Sequence, residues 1–363
     1  MSDRSAIQWT DATWNPTVGC SRTSPGCDHC YAVRDGRRLQ HLDAYAGTIA
    51  DGEWTGLVRF LPGRLDQPLR WRRSRRIFVD SMSDLFHPGV PDRVVAEVFA
   101  VMAGAPHHVF QVLTKRPQRM ASVVARLVEP GLGASDPEAL GALSGESDET
   151  MSLLDVACRR LAAGGVIPAG VSFRWPLPNV WLGTSIESDH YAFRADHLRS
   201  TPAAVRFLSL EPLIGSVGSV DLTGINWVIV GGESGPNARP MASSWVCDIR
   251  DRCAAGHVAF FFKQWGSWVP LVELGSDAVN SPDGGDRTVV VGRSPATMIR
   301  AGRRTGVVDP HRLEGEVHQD FPVALSPRGL PGERSSDTAD PPGRDPGVDH
   351  GTRDRGTGPV GER

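Results

Sequence analysis

Seven apolar runs of strand length recur along the chain, and each ends in polar or glycine-rich residues. They are Thr13–Val18, Arg76–Asp80, Val109–Leu113, Val180–Thr184, Val205–Leu210, Trp227–Val230 and Ala259–Lys263. Most precede a stretch with helical character, the pattern of βα units and a parallel sheet. Helices are expected over Asp92–Ala103, where Asp92 follows Pro91, and over Ser243–Ala255, with Ser243 or Ser244 as the cap. The expected fold class is α/β, a partial or complete (β/α) barrel occupying residues 1–270.

Two segments interrupt this pattern. Residues 129–178 are rich in Gly, Ala, Ser and acidic residues around one helical stretch, Met151–Ala163, and read as an insertion. Residues 271–322 read as an extension of the core. Beyond Phe321 no aromatic residue occurs and Gly, Pro, Asp and Arg dominate, so residues 323–363 are expected to form a disordered C-terminal tail.

A chain of 363 residues has ample apolar content for a core. None of its apolar runs approaches the roughly 20 residues that span a bilayer, so no membrane partner is expected. The net charge of −3 offers no general argument for nucleic acid. Lys115 and Lys263 are the only lysines, every other cationic side chain apart from histidine being Arg; taken alone, this bias reads as a GC-rich genome.

Cys20, Cys27 and Cys30 cluster in Gly19-Cys20-Ser21-Arg22-Thr23-Ser24-Pro25-Gly26-Cys27-Asp28-His29-Cys30-Tyr31. Three thiolates with no fourth nearby make an incomplete cage, which on a 4Fe–4S cluster leaves one iron open to a cofactor or substrate. Zinc is the alternative, with His29 or His41 completing a Cys3His shell, although His29 lies awkwardly between two of the cysteines. Disulfides are disfavoured, because Cys158, Cys247 and Cys253 are scattered and no signal peptide precedes the cluster. A cytoplasmic, reducing setting is expected.

In parallel βα architectures ligands sit where the C-terminal strand ends converge. Here those ends carry Ser81, Ser83 and Asp84, then Lys115 and Arg116, then Glu187, Glu211, Gly231, Gly232, Glu233 and Lys263. Gly231 and Gly232 permit close backbone approach, and Asp84 or Glu233 suits an ammonium or ribose hydroxyl. Lys115, Arg116 and Lys263 are the candidate catalytic cations, able to bind carboxylate or phosphate; the alternative is ion pairing with Glu187, Glu211 and Glu233 across the rim. The run Arg70-Trp71-Arg72-Arg73-Ser74-Arg75-Arg76 offers a phosphate-binding patch, with Trp9, Trp14 and Trp54 adding aromatic surface. Its alternative is a solvated basic turn.

Seven stretches in order carry a family resemblance. They are Trp9–Pro16, Gly19–Ala32, Phe78–His87, Gln111–Pro117, Phe207–Leu213, Val230–Pro236 and Phe262–Gly266. Together they resemble the three-cysteine-motif family of phage and bacterial proteins of unknown function, often encoded beside a three-Cys-motif partner protein. That family in turn looks like a divergent branch of radical S-adenosylmethionine enzymes. The resemblance implies a 4Fe–4S cluster on Cys20, Cys27 and Cys30, with the methionine amine and carboxylate of S-adenosylmethionine chelating the open iron and reductive cleavage giving a 5′-deoxyadenosyl radical. It implies further that Ser81, Ser83 and Asp84 bind the methionine amine, with Glu187, Glu211 and Gly231 to Glu233 lining the remainder. Two features depart from that pattern: six residues separate Cys20 from Cys27 where the superfamily has three, and the Gly-Gly-Glu follows the sixth strand rather than the second. The expected function is an iron–sulfur enzyme acting on a nucleic acid or nucleotide; the alternative is a zinc- or cluster-stabilised binding module that performs no reaction.

Overall fold

A computed structural model of the chain describes residues 5–132, 150–270, 289–291, 296–300 and 311–322. All seven apolar runs are strands of one sheet: β1 (Ala12–Trp14), β2 (Arg76–Val79), β3 (Val109–Thr114), β4 (Val180–Ser185), β5 (Val205–Leu210), β6 (Trp227–Gly231) and β7 (Ala259–Gln264). Spatial order follows chain order and every neighbouring pair is parallel, so the sheet curls into a half-barrel. Helices α1 (Tyr31–Leu39), α2 (Asp92–Gly104), α3 (Pro117–Leu127), α4 (Leu153–Ala163), α5 (Phe193–Arg199) and α6 (Ser243–Ala255) lie in the connections.

The strands read as nearly continuous apolar runs because both faces are covered. Outward-facing Val79, Val112, Leu182, Leu208 and Val230 pack with helical residues such as Val95, Phe99 and Ile249 in one core. The inner face is aromatic. Trp181, Phe207 and Phe261 meet Trp227 at ring separations of 5.8, 5.7 and 6.0 Å, and Trp9 joins them 4.8 Å from Phe78. Gly183 makes room for this plug, since a Cβ there would lie 2.5 Å from the Phe207 ring.

A returning segment closes the far edge. Phe262 N donates to His318 O at 2.8 Å and Asp320 N to Phe260 O at 3.1 Å, covering the exposed side of β7. Phe321 continues the aromatic plug 5.1 Å from Trp227 and lies beneath the Arg76 guanidinium at 4.3 Å. The half-barrel thus joins its two edges through Trp9 and Phe321.

Several expectations need correction. The first strand ends at Trp14, because Pro16 has no N–H for the ladder; Thr17–Val18 leave the sheet and pair antiparallel with Arg59–Phe60. Neither Ser243 nor Ser244 caps α6: Ala242 is the N-cap and Ser243 lies inside the helix with its Oγ buried and unpartnered. Trp9, Trp14 and Trp71 are core residues rather than aromatic surface. Within 129–178, α4 is capped by a Ser152–Asp155 capping box and buries Leu154, Val156 and Leu161, and its Arg160 pairs with Glu97 of α2. Residues 133–149 and most of 271–310 lie outside the described residues, as does the expected tail 323–363. Among the described residues, no helix is long and apolar enough to cross a membrane.

Candidate functional site

A cavity of about 590 Å3 opens at the C-terminal edge of the sheet. Cys20, Cys27 and Cys30 all line it, together with Ser81, Ser83, Asp84, Lys115, Arg116, Glu211, Gly232, Glu233 and Lys263. Glu187 and Gly231 do not. Most of the expected site residues therefore come together, although much of their polarity is spent on the cysteine-bearing loop, residues 15–30.

That loop has little apolar content, and polar contacts from successive strand ends hold it. Asp80, just after β2, accepts from Thr17 N at 3.0 Å and Thr17 Oγ1 at 2.9 Å. Asn15 Oδ1 accepts from Met82 N at 2.9 Å and Ser81 Oγ at 3.2 Å, and Ser83 Oγ donates to Gly19 O at 2.7 Å. The hydroxyls of Ser81 and Ser83 are thus engaged with the loop. Asp84 accepts from Phe86 N, Thr114 Oγ1, Lys115 N and Arg116 Nη1, at 2.7–3.2 Å, which fills both its oxygens. Arg116, so fixed, donates to Ser21 O at 2.9 Å and reaches Cys20 Sγ at 3.8 Å.

Glu187 lies fully buried beneath the loop and accepts from Ser24 Oγ at 2.6 Å. Glu233 accepts from Arg239 through both oxygens, at 2.7 and 3.0 Å, and its Oε2 lies 3.1 Å from His29 Nδ1. Arg239 carries on to Pro25 O at 2.8 Å and Asp28 Oδ2 at 3.3 Å. The expected ligand-binding carboxylates Asp84, Glu187 and Glu233 therefore act here as loop anchors. Sequence reasoning missed Arg239, which reaches Pro25 and Asp28 more than 200 residues back along the chain, and Arg194, which lies within α5 and donates to Glu187 and Ser185.

Both lysines of this Arg-rich chain line the cavity. Lys263 Nζ lies 2.7 Å from Glu211 Oε1, and Lys115 Nζ lies 3.5 Å from Glu187 Oε1, so the ion-paired alternative describes the rim at these positions. Of the two pairs, Lys263–Glu211 is the one with both members on the cavity wall. Gly232 packs closely, since a Cβ there would lie 1.9 Å from Trp265 O. The compositional signal was available: two lysines among 39 Lys and Arg residues, each at a strand end.

The three thiols are free. Among the described residues, no group of three or more His, Cys, Asp or Glu side chains is gathered so as to hold a metal ion. Two sulfurs face local oxygens, Cys20 Sγ at 3.5 Å from Ser21 O and Cys27 Sγ at 3.6 Å from Thr23 Oγ1. Burial pushes the Cys20 thiol up to about 12, Asp84 adding to it and Arg116 opposing, and burial raises Cys30 as well. Burial also acts upward on Cys27, but Lys115 and the Thr23 hydrogen bonds outweigh it and hold this thiol below its ordinary value. The donor chemistry and the shared cavity suit a thiolate-held metal or cluster. Gathering the sulfurs around one requires deprotonation and exchange of the local contacts. Of the candidate fourth ligands to zinc, His29 is turned to Glu233, and His41 is exposed and off the cavity wall.

A serine nucleophile is disfavoured by tautomer. Ser21 Oγ lies 2.7 Å from His87 Nε2, but His87 Nδ1 accepts from Gly89 N at 3.0 Å, so the neutral ring carries its proton on Nε2 and donates to the serine. Burial, reinforced by Arg116, keeps this histidine below its ordinary pKa and hence neutral. The basic run 70–76 precedes β2 and so sits at the opposite, N-terminal edge of the sheet. There Arg70 pairs with Asp66 while remaining exposed, Arg75 lies 4.9 Å over the Trp71 ring, and Arg76 pairs with Asp11 at 3.0 Å; Arg72 and Arg73 are exposed as well.

Fold and site define a parallel α/β half-barrel with a thiol-lined cavity at its C-terminal edge. The chain belongs to a family of proteins of unknown function, DUF5131, whose profile matches residues 4–322 and so takes in the returning segment. No curated protein and no solved structure matches the chain.

Proposed function

We propose that the chain is an iron–sulfur enzyme of the radical S-adenosylmethionine type acting on a nucleotide-sized substrate, free or within a nucleic acid, as the resemblance to phage and bacterial three-cysteine-motif proteins implies. A three-Cys-motif partner protein belongs to the same reading. The observation that carries it is the convergence of three free thiols and both lysines of the chain on one cavity at the C-terminal edge of a parallel half-barrel. Cys20, Cys27 and Cys30 would hold the cluster. When bound, a 4Fe–4S cluster on three thiolates supplies an open iron and one electron for reductive cleavage of S-adenosylmethionine.

The chain's own residues supply binding and orientation. Lys263 and Glu211, on β7 and after β5, face the cavity from the far end of the sheet order from the cysteine loop. An incoming carboxylate or phosphate takes the ammonium of Lys263, which frees Glu211 to accept from a hydroxyl or ammonium of the same ligand. Trp54 and Tyr31 also line the cavity, and aromatic rings are the side chains on which a base stacks. The remoteness of Arg72 and Arg73 favours a nucleotide-sized substrate over one that needs the basic run.

The test is anaerobic reconstitution followed by reduction in the presence of S-adenosylmethionine, with chromatography for 5′-deoxyadenosine. Product from the wild type and none from a Cys20→Ala, Cys27→Ala, Cys30→Ala variant is expected. A colourless zinc protein that releases no product would replace this reading with the non-catalytic binding module.

A further inference from the structure

The carboxylate of Glu187 is costly to bury and yet lies off the cavity wall. Its side chain is 0% exposed, so a charge there must be compensated by partners rather than by water. Arg194 of α5 supplies one, donating through Nη1 to Glu187 Oε2 at 3.0 Å and to Ser185 O at 2.9 Å. The Arg194 guanidinium also lies 4.4 Å over the Tyr191 ring, which fixes it from the outside. On the other side Glu187 Oε1 takes the Ser24 hydroxyl at 2.6 Å, with Lys115 Nζ at 3.5 Å.

Gly26 completes the contact. A Cβ there would lie 2.4 Å from Glu187 Oε1 and 2.5 Å from its Cγ, so the loop settles against the carboxylate only because residue 26 has no side chain. Ser24 and Gly26 both lie between Cys20 and Cys27, the stretch whose length departs from the superfamily spacing. Directly above the anchor, Cys27 N, Asp28 N and Cys30 N donate to Ser24 O, Pro25 O and Cys27 O at 2.9, 3.1 and 3.3 Å, which forms the turn that presents Cys27 and Cys30.

We propose that Glu187, locked by Arg194, is the positioning residue of the Ser24–Cys30 turn within the cysteine loop, so that the protein holds this turn in place before any metal binds. The consequence for cluster uptake rests on reading the three thiols as ligands; the loop anchoring itself does not. Loss of the hydroxyl at residue 24 leaves the Glu187–Arg194 pair and the barrel intact while removing the hydrogen bond that ties the turn to Glu187. A hydrogen bond to a buried charged group is strong enough for its loss to raise opening of the turn about tenfold or more.

The experiment compares Ser24→Ala with Ser24→Thr, which keeps the hydroxyl, in the full chain. In the metal-free protein, hydrogen exchange at the amides of Cys27, Asp28 and Cys30 should accelerate about tenfold or more in S24A, and should stay near wild type in S24T with the sheet amides unchanged. After anaerobic reconstitution, S24A should hold less iron and show an altered electron paramagnetic resonance line shape on reduction, both restored in S24T. Unchanged exchange in S24A, or exchange in S24T as fast as in S24A, overturns the anchor. Accelerated exchange in S24A, together with a wild type that takes up no iron, upholds the anchor and refutes the iron–sulfur reading instead.

Discussion

Asp80 gives the structure a pH signature. It sits just after β2 in the left-handed region, φ 58°, buried and with both oxygens accepting from Thr17. Burial pushes its carboxyl from 3.8 up to about 7, against the Thr17 donors and with Asp84 adding to the rise. The native state therefore holds a proton that the unfolded chain releases near its ordinary value. This contribution to stability is full below about pH 4 and is lost as pH rises through about 7. At about 1.4 kcal/mol per unit, the loss between pH 4.5 and 8 is about 3 kcal/mol. Asp80→Asn removes the titration while keeping the contacts, since the carboxamide oxygen of the new side chain accepts from Thr17 N and its amino group donates to Thr17 Oγ1. Asn also tolerates a left-handed backbone. Urea unfolding of wild type and D80N across pH 4.5 to 8 should show the variant gaining about 3 kcal/mol over wild type with rising pH. A stability difference that stays constant across this range would refute the argument that Asp80 is proton-linked to folding.

Two further outcomes follow from packing and from the cavity. Gly183→Ala drives a methyl into the Phe207 ring of the aromatic plug and should cost about 1–3 kcal/mol, read as a lowered Tm; a variant as stable as wild type would mean that the plug is loose. Lys263→Met removes the cation beside Glu211 on the cavity wall and should keep iron content at wild type while lowering S-adenosylmethionine cleavage about tenfold or more. Equal loss of iron would move Lys263 from the ligand to the cluster.

The strands were legible because each is covered on both faces, which forces apolar runs such as Val180–Ser185 and Trp227–Gly231 whose ends mark the rim. The cavity wall was legible for the same reason: in a parallel half-barrel all strand ends converge, so Asp84, Lys115, Glu211 and Lys263 had to meet. Their roles were not, because whether a carboxylate faces ligand or loop depends on contacts made across the fold. Glu187 lies beneath a glycine more than 150 residues away, and Glu233 holds Arg239, which reaches back to Pro25. The tryptophans misled for a related reason: Trp9 precedes the first strand and belongs to no periodic run, Trp14 lies on that strand, and only the packing of the sheet shows that both rings are buried. The split of β1 at Pro16 was written in the sequence, as was the concentration of both lysines at strand ends.

The most direct test of the account is metal and sulfide analysis with an absorbance spectrum, on anaerobically purified full-length protein and on its Cys20→Ala, Cys27→Ala, Cys30→Ala variant. About four iron and about four sulfide per chain are expected, with broad absorbance at about 400 nm, all lost in the variant. Zinc without sulfide in the wild type, or iron retained when the three thiols are gone, would contradict it.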